Sequence, residues 1–234
     1  MFDVIAFDAD DTLWHNETIY SLTQEKLKQL LAKYRDIEDI EGEIYQTERR
    51  NLQYFGYGIK SFTLSMIETA IELTNGEIQG REINQIINFA KEMLETPTQL
   101  LDDVAETVAT LAQSHTLMII TKGDLFDQET KIAQSGLADY FTYVEIVSEK
   151  TPGVYRGLLE RYGLSPNRFL MIGNSLRSDV LPVIELGGRA VHVPYSLTWA
   201  HEIVTGPEAQ AASYFELEKM SQLPALLADL NRKG

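Results

Sequence analysis

The chain has no cysteine, which excludes disulfides, thiolate metal sites and cysteine nucleophiles. It fits a reducing compartment, and a cytoplasmic location is the expectation. Positive charge is scarce: 20 lysines and arginines face 35 acidic residues, a formal net charge of -15. That balance argues against a nucleic-acid surface. An anionic substrate would therefore need locally concentrated positive charge. No apolar stretch approaches the ~18 residues of a membrane span. The first residues run straight into a strand pattern, without the basic n-region of a signal peptide. Neither a membrane nor a nucleic acid is expected as a partner, and no internal repeat or low-complexity segment is visible.

What is present is apolar residue in quantity. At 44% hydrophobic over 234 residues, the chain can bury one large core or a core with a smaller insert. Short apolar runs recur at Val4-Ile5-Ala6-Phe7, Leu117-Met118-Ile119-Ile120, Val144-Glu145-Ile146-Val147, Phe169-Leu170-Met171-Ile172 and Ala190-Val191-His192-Val193. Unbroken runs with helical segments between them are the pattern of a parallel sheet covered on both faces. A doubly wound α/β core is predicted.

One connection is too long for that scheme. Roughly 100 residues separate the first two strands, against about 30 for a whole βαβ unit. Within it, Ile19, Leu22, Leu27, Leu30, Leu31 and Tyr34 keep helical spacing. So do Phe62, Met66, Ala70 and Leu73, and then Ile83, Ile86, Ile87, Ala90 and Leu94. The expected division is a core of residues 1–14 and 96–234 with an all-helical insert at 15–95.

In open α/β sheets ligands bind beyond the carboxyl ends of the strands. Here those ends read Asp8, Asp10, Asp11, Thr12; then Thr121, Lys122, Gly123, Asp124; then Ser148, Glu149, Lys150; then Gly173, Asn174, Ser175, Arg177, Ser178, Asp179. Three carboxylates within four residues repel one another unless a cation sits among them. The set suits phosphoryl transfer. A carboxylate can attack phosphorus, a second can carry the proton, and hydroxyl, lysine and backbone N–H groups can hold phosphoryl oxygens. A metal here would meet only oxygen ligands, which favours Mg2+. Taken singly, each motif has a plainer explanation: Asp and Thr cap helices, and a lone lysine is usually solvated. Four in order, each closing a strand, are harder to explain that way.

"FDADDTL" resembles the first motif of the haloacid dehalogenase (HAD) superfamily. "LMIITKG" resembles the second, Lys150 in "VSEKTPGVY" stands at the third, and "FLMIGNSLRSDV" resembles the fourth. The resemblance implies a Rossmann-like core with a C1-type helical cap inserted after the first strand. It implies Asp8 as nucleophile and metal ligand, and Asp10 as general acid/base offering its backbone carbonyl to Mg2+. Thr121 and Lys122 would bind the phosphoryl group, Lys150 would neutralise Asp8 and the transferred group, and Asp179 with Asn174 would complete the metal site, directly or through water.

Two positions depart from the pattern. Asn174 stands where the family usually has Asp, so the metal site is one charge short. Asp11 replaces the common glycine and is read as shaping the turn. In the true 2-haloacid dehalogenases the residue two after the nucleophile is not acidic, so Asp10 implies a phosphatase. A Mg2+-dependent phosphohydrolase of a small phosphorylated metabolite is the reading, with a sugar phosphomutase or a non-catalytic binding protein as alternatives. Arg49, Arg50 and Lys60 are read as solvated cap faces, with a second anionic group of the substrate as the alternative. His15 borders the first motif without a required role, and His115, His192 and His201 read as structural.

Overall fold

The computed structural model describes residues 2–197, 199–202, 204 and 213–233. The described strands are β1 (Val4–Phe7), β2 (Thr116–Lys122), β3 (Tyr143–Val147), β4 (Phe169–Gly173), β5 (Arg189–His192) and β6 (Phe215–Glu216). They form one sheet in the order β3-β2-β1-β4-β5-β6, every pair parallel. The first five coincide with the apolar runs. β6 has two residues and leaves no periodic signal. The helices are α1 (Glu17–Leu31), α2 (Ile40–Phe55), α3 (Ile59–Leu73), α4 (Gly80–Glu95), α5 (Val104–Ala112), α6 (Leu125–Gln134), α7 (Pro152–Arg161), α8 (Leu181–Glu185) and α9 (Leu223–Lys233). The fold is α/β with a Rossmann-like parallel sheet.

The chain forms two compact units. One comprises Met1–His15, Thr98–Lys122 and Thr130–Gly234; the other comprises Asn16–Pro97 and Gly123–Glu129. In the sheet unit, the period-2 alternation of strand side chains sorts the core into two layers. Ile5, Phe7, Leu117, Ile119, Leu170, Ile172 and Val191 pack with Val104, Val108 and Leu111 of α5 and Leu223 and Leu227 of α9. Val4, Ala6, Met118, Ile120, Phe169 and Met171 pack on the other face with Tyr155, Leu158 and Leu159 of α7 and Val183 of α8. Each fully buried large side chain here is worth about 1.5–3 kcal/mol. The chain order reverses at β1, which has β2 on one side and β4 on the other. That is the switch point where such sheets open a crevice.

The helical unit has its own core around Leu27, Leu31, Ile44, Phe62, Met66, Ala70, Ile86 and Ala90. Leu22, included in the α1 stripe, is exposed. It lies five residues before Leu27, about 140° round the helix from the buried line. Ile87 is exposed for the same reason, one residue past Ile86. α2 escapes the stripe reading because its buried face runs Ile40, Ile44, Thr47, Asn51 and turns polar halfway. Those polar residues are paired across α3: Thr69 Oγ1 donates to Thr47 Oγ1 at 2.9 Å, and Asn51 Nδ2 donates to Ser65 Oγ at 3.2 Å and Glu68 Oε2 at 2.7 Å. α2 stops at Gly56, whose φ of 68° is left-handed. Gly58 has φ 106°, and a Cβ there would stand 3.0 Å from the Asp124 backbone nitrogen.

Candidate active site

The polar ends of β1, β2 and β4 and the start of α7 meet at the switch point. Asp8 follows β1 directly, and its backbone N–H still donates to Ile172 O at 2.8 Å, so β4 fixes where its side chain emerges. The next turn is tight. Asp11 takes φ 60°, a conformation glycine favours and aspartate tolerates, and its N–H donates to Trp14 O at 2.7 Å. The turn folds Thr12 back on Asp8: its hydroxyl donates to Asp8 Oδ2 at 2.8 Å and accepts from the Asn174 N–H at 3.1 Å. Asn174 Oδ1 stands 3.2 Å from the same hydroxyl. One threonine therefore ties the loops after β1 and β4.

Lys150 Nζ donates to Asp8 Oδ1 at 2.5 Å and to Asp179 Oδ1 at 2.7 Å. Its side chain and that of Asp179 are each 1% exposed, and that of Asp8 is 10%. Burial pushes the lysine pKa down, but Asp179 and Asp8 prevail and hold it above the usual lysine value, so it stays charged. Burial pushes the Asp179 carboxyl up, Lys150 pulls it back, and Asp8 adds to the rise. Asp179 Oδ2 also accepts from the Ser175 N–H at 3.0 Å. Gly173 permits this close packing, because a Cβ there would stand 2.2 Å from Asp179 Oδ2. The motif helix begins as a π-turn at Leu176–Val180, with Ser175 accepting from the Ser178 N–H at 3.0 Å. Tyr155, buried in α7, donates its hydroxyl to Ser178 O at 3.0 Å.

Asp10 is held apart from this cluster by other partners. Its Oδ1 accepts from Trp14 Nε1 at 2.7 Å and from Lys131 Nζ at 3.2 Å. Thr121 is buried at the end of β2, its hydroxyl 3.4 Å from the Lys122 carbonyl. Lys122 Nζ donates to Ser178 Oγ at 2.9 Å and to Glu202 Oε1 at 2.6 Å. Glu202 Oε2 accepts from Ser178 Oγ at 2.6 Å and from Ser175 Oγ. Burial opposes the charge on Glu202, but Lys122 and the two serine hydroxyls bring its pKa down to about 2.

Asp8, Lys150, Asp179, Asn174 and Lys122 thus fall in one connected network, with Asp10 beside it. Thr12 and Glu202 belong to it as well, Trp14 and Lys131 hold Asp10, and the motif reading assigned none of these four a part. Arg177 donates to the His201 carbonyl at 3.0 Å, so its charge lies on that turn. His192 joins Asn174 O at 3.1 Å to Glu216 Oε2 at 3.0 Å, and His15 Nδ1 meets Tyr195 Oη at 2.7 Å. His115 Nδ1 lies 2.9 Å from Ser114 Oγ, and His201 stacks on Trp199. In the helical unit Arg50 is engaged by Glu68 and Glu72, Lys60 by Asp124, and Arg49 lies over Tyr45.

Among the described residues, no group of three or more His, Asp or Glu side chains is arranged to hold a metal ion. The oxygen donors joined by this network are Asp8, Asp179 and the amide oxygen of Asn174, and the Asp10 backbone carbonyl follows two residues after Asp8. An all-oxygen set of this kind suits Mg2+, which keeps several waters and needs few protein carboxylates. The Thr12 hydroxyl already brings Asp8 Oδ2 and Asn174 Oδ1 to one point. The residues present fit such an ion.

Residues 2–187 match the family model of haloacid dehalogenase-like hydrolases. The fold is similar to a haloacid dehalogenase-like family hydrolase from Xanthomonas campestris, at 41% identity and a TM-score of 0.87, covering 99% of this chain and 93% of that one. It is also similar to a putative hydrolase from Bacillus subtilis bound to magnesium, at 17% identity and a TM-score of 0.71, covering 97% and 99%. A 2-haloacid dehalogenase from Pseudomonas syringae shares 21% identity at a TM-score of 0.64, covering 98% and 100%. A search of curated proteins by sequence found no match.

Proposed function

This chain belongs to the haloacid dehalogenase-like hydrolases, and on that premise we propose that it is a Mg2+-dependent phosphohydrolase acting on a small phosphorylated metabolite. The observation that carries the reading is Asp10. A fold shared with a dehalogenase does not choose between carbon–halogen and phosphate-ester cleavage. A carboxylate two residues beyond Asp8, fixed by Trp14 and Lys131, supplies the acid/base group that ester hydrolysis needs.

In this reading Asp8 attacks phosphorus and the bond to the ester oxygen breaks. Protonated Asp10 gives its proton to that oxygen, and the alcohol leaves. Asp10, now a carboxylate, takes a proton from water as the water attacks the aspartyl phosphate. Inorganic phosphate departs and Asp8 is free again. Lys150 offsets the charge of Asp8 and of the transferred group, while Thr121 and Lys122 bind phosphoryl oxygens. Mg2+, held by Asp8, the Asp10 carbonyl, Asn174 and Asp179, would polarise a phosphoryl oxygen when bound.

The test is release of phosphate from an aryl phosphate by purified protein, with and without Mg2+, beside Asp8→Asn. Turnover that needs Mg2+ and disappears in Asp8→Asn supports the mechanism. Turnover that ignores a chelator, or survives that substitution, sinks it. Screens of sugar phosphates, nucleotides and phosphoglycolate then address the substrate.

A further inference from the structure

Glu202 is a buried carboxylate that the proposed reaction does not use. It sits in the Ala200–Glu202 turn, 80 residues along the chain from Lys122. Among the described residues its hydrogen-bond partners are all donors: Lys122 Nζ on one oxygen, Ser178 Oγ and Ser175 Oγ on the other. The ion-paired side chains of Lys122 and Glu202 are 14% and 12% exposed. A cation and two hydroxyls turned toward one point are the donors that an anion pocket presents, and a carboxylate of the chain itself fills that place. The network continues without a break into the site, since Ser178 precedes Asp179 and Asp179 bonds Lys150.

We propose that Glu202 is a specificity-determining residue whose negative charge, set against Lys122, limits how tightly the pocket holds an anion. The inference rests on the phosphohydrolase reading in taking Lys122 to face the transferred group. Attraction to a phosphate falls when the nearest cation is already half of an ion pair. Without that counter-charge, Lys122 would keep the longer and more exposed contact to Glu149 Oε1 at 3.5 Å and would bind substrate and inorganic phosphate more tightly alike. Equal tightening of both lowers KM without raising kcat, and a phosphatase that grips its product turns over more slowly. Glu202 thus keeps product affinity low. A purely structural carboxylate would leave a weaker, looser pocket when replaced, so the sign of the effect separates the two roles.

The experiment is calorimetric titration of inorganic phosphate into the Mg2+-supplemented protein, wild type against Glu202→Gln. The amide keeps the shape and still accepts from both serines, while the charge is gone. Phosphate affinity should rise about tenfold, the size of one unit charge removed at the pocket wall. Glu202→Asp should stay within about twofold of wild type, and Glu202→Gln combined with Lys122→Met should show no gain. On the best substrate, KM and kcat should both fall in Glu202→Gln. If that variant does not fold by circular dichroism, Glu202→Ala carries the same expectation. Unchanged or weaker phosphate binding on charge removal overturns the proposal, as does a gain that persists without Lys122. Where wild type binds no measurable phosphate, binding that emerges in Glu202→Gln supports it and binding in neither overturns it. The phosphohydrolase reading fails separately, through Asp8→Asn.

Discussion

Trp14 Nε1 donates to Asp10 Oδ1 at 2.7 Å, and Trp14 is itself fully buried. An indole has one donor and no acceptor, so the bond fixes one oxygen of Asp10 from below while Lys131 approaches from α6. Trp14→Phe keeps most of the packing and deletes the donor. The expected outcome is a kcat lowered by about three- to tenfold, the size of one ordinary lost hydrogen bond, with KM nearly unchanged. Steady-state kinetics on the best substrate checks it; an unchanged kcat would remove Trp14 from the positioning of Asp10.

Asp8→Asn should abolish phosphate release by at least about a thousandfold, as loss of a nucleophile does. The protein should still fold, because the amide oxygen can accept from Lys150 while the amide NH2 donates to the Thr12 hydroxyl oxygen, whose proton can turn to Asn174 Oδ1. Single-turnover assays and circular dichroism on the same preparation separate the two outcomes.

Lys150→Met leaves two carboxylates, Asp8 and Asp179, buried without their shared cation. Breaking a buried pair this way costs about 3–5 kcal/mol. Denaturant unfolding should show the unfolding free energy falling by that amount. A loss under about 1 kcal/mol would mean the pocket relaxes to admit water.

Glu82 predicts how the helical unit responds to acid. Its carboxylate accepts from Lys33 and Tyr34 and from the Gln79 N–H, and these bonds hold its pKa at about 2 against an ordinary value of 4.5. A carboxyl depressed on folding adds stability that is fully present above 4.5 and is lost as pH falls toward 2. Glu82→Gln should therefore be less stable than wild type at pH 6, and the gap should close between pH 4.5 and 2. Urea melts across that range test the sign; a constant gap would contradict it.

Gly173→Ala would drive a methyl into the Asp179 carboxyl. Displacing Asp179 should weaken activation by Mg2+ about tenfold or more, measured as the metal concentration for half-maximal turnover, with a thermal midpoint lowered by several degrees. A metal requirement equal to wild type would show that the carboxyl moves without consequence.

Much of this was readable in the chain. Runs such as Phe169-Leu170-Met171-Ile172 are apolar at every position because both faces of β4 are covered, and such runs are visible without alignment. The polar residues closing them then had to share one edge. What escaped lay where neighbours are distant in sequence. Lys131 is 121 residues from Asp10 and Glu202 is 80 from Lys122, in segments without a motif. Thr12 looked like a helix cap, yet its hydroxyl spends both capacities on Asp8 and Asn174. α2 hid because Thr47 and Asn51 bury polar groups in pairs, which hydrophobic periodicity does not register.

The place of β1 at the centre of the sheet sets an order of events during synthesis. Its partners are Thr116–Lys122 and Phe169–Gly173, so the strand that delivers Asp8 is made more than 100 residues before either neighbour. Helices α1 to α4 need only contiguous chain to close their core, and local contacts form fast. A nascent chain released before Gly173 would carry a finished helical unit and an unfinished sheet, its strand edges open to other chains. The crevice, and with it any chemistry at Asp8, comes into being only once β4 has been made.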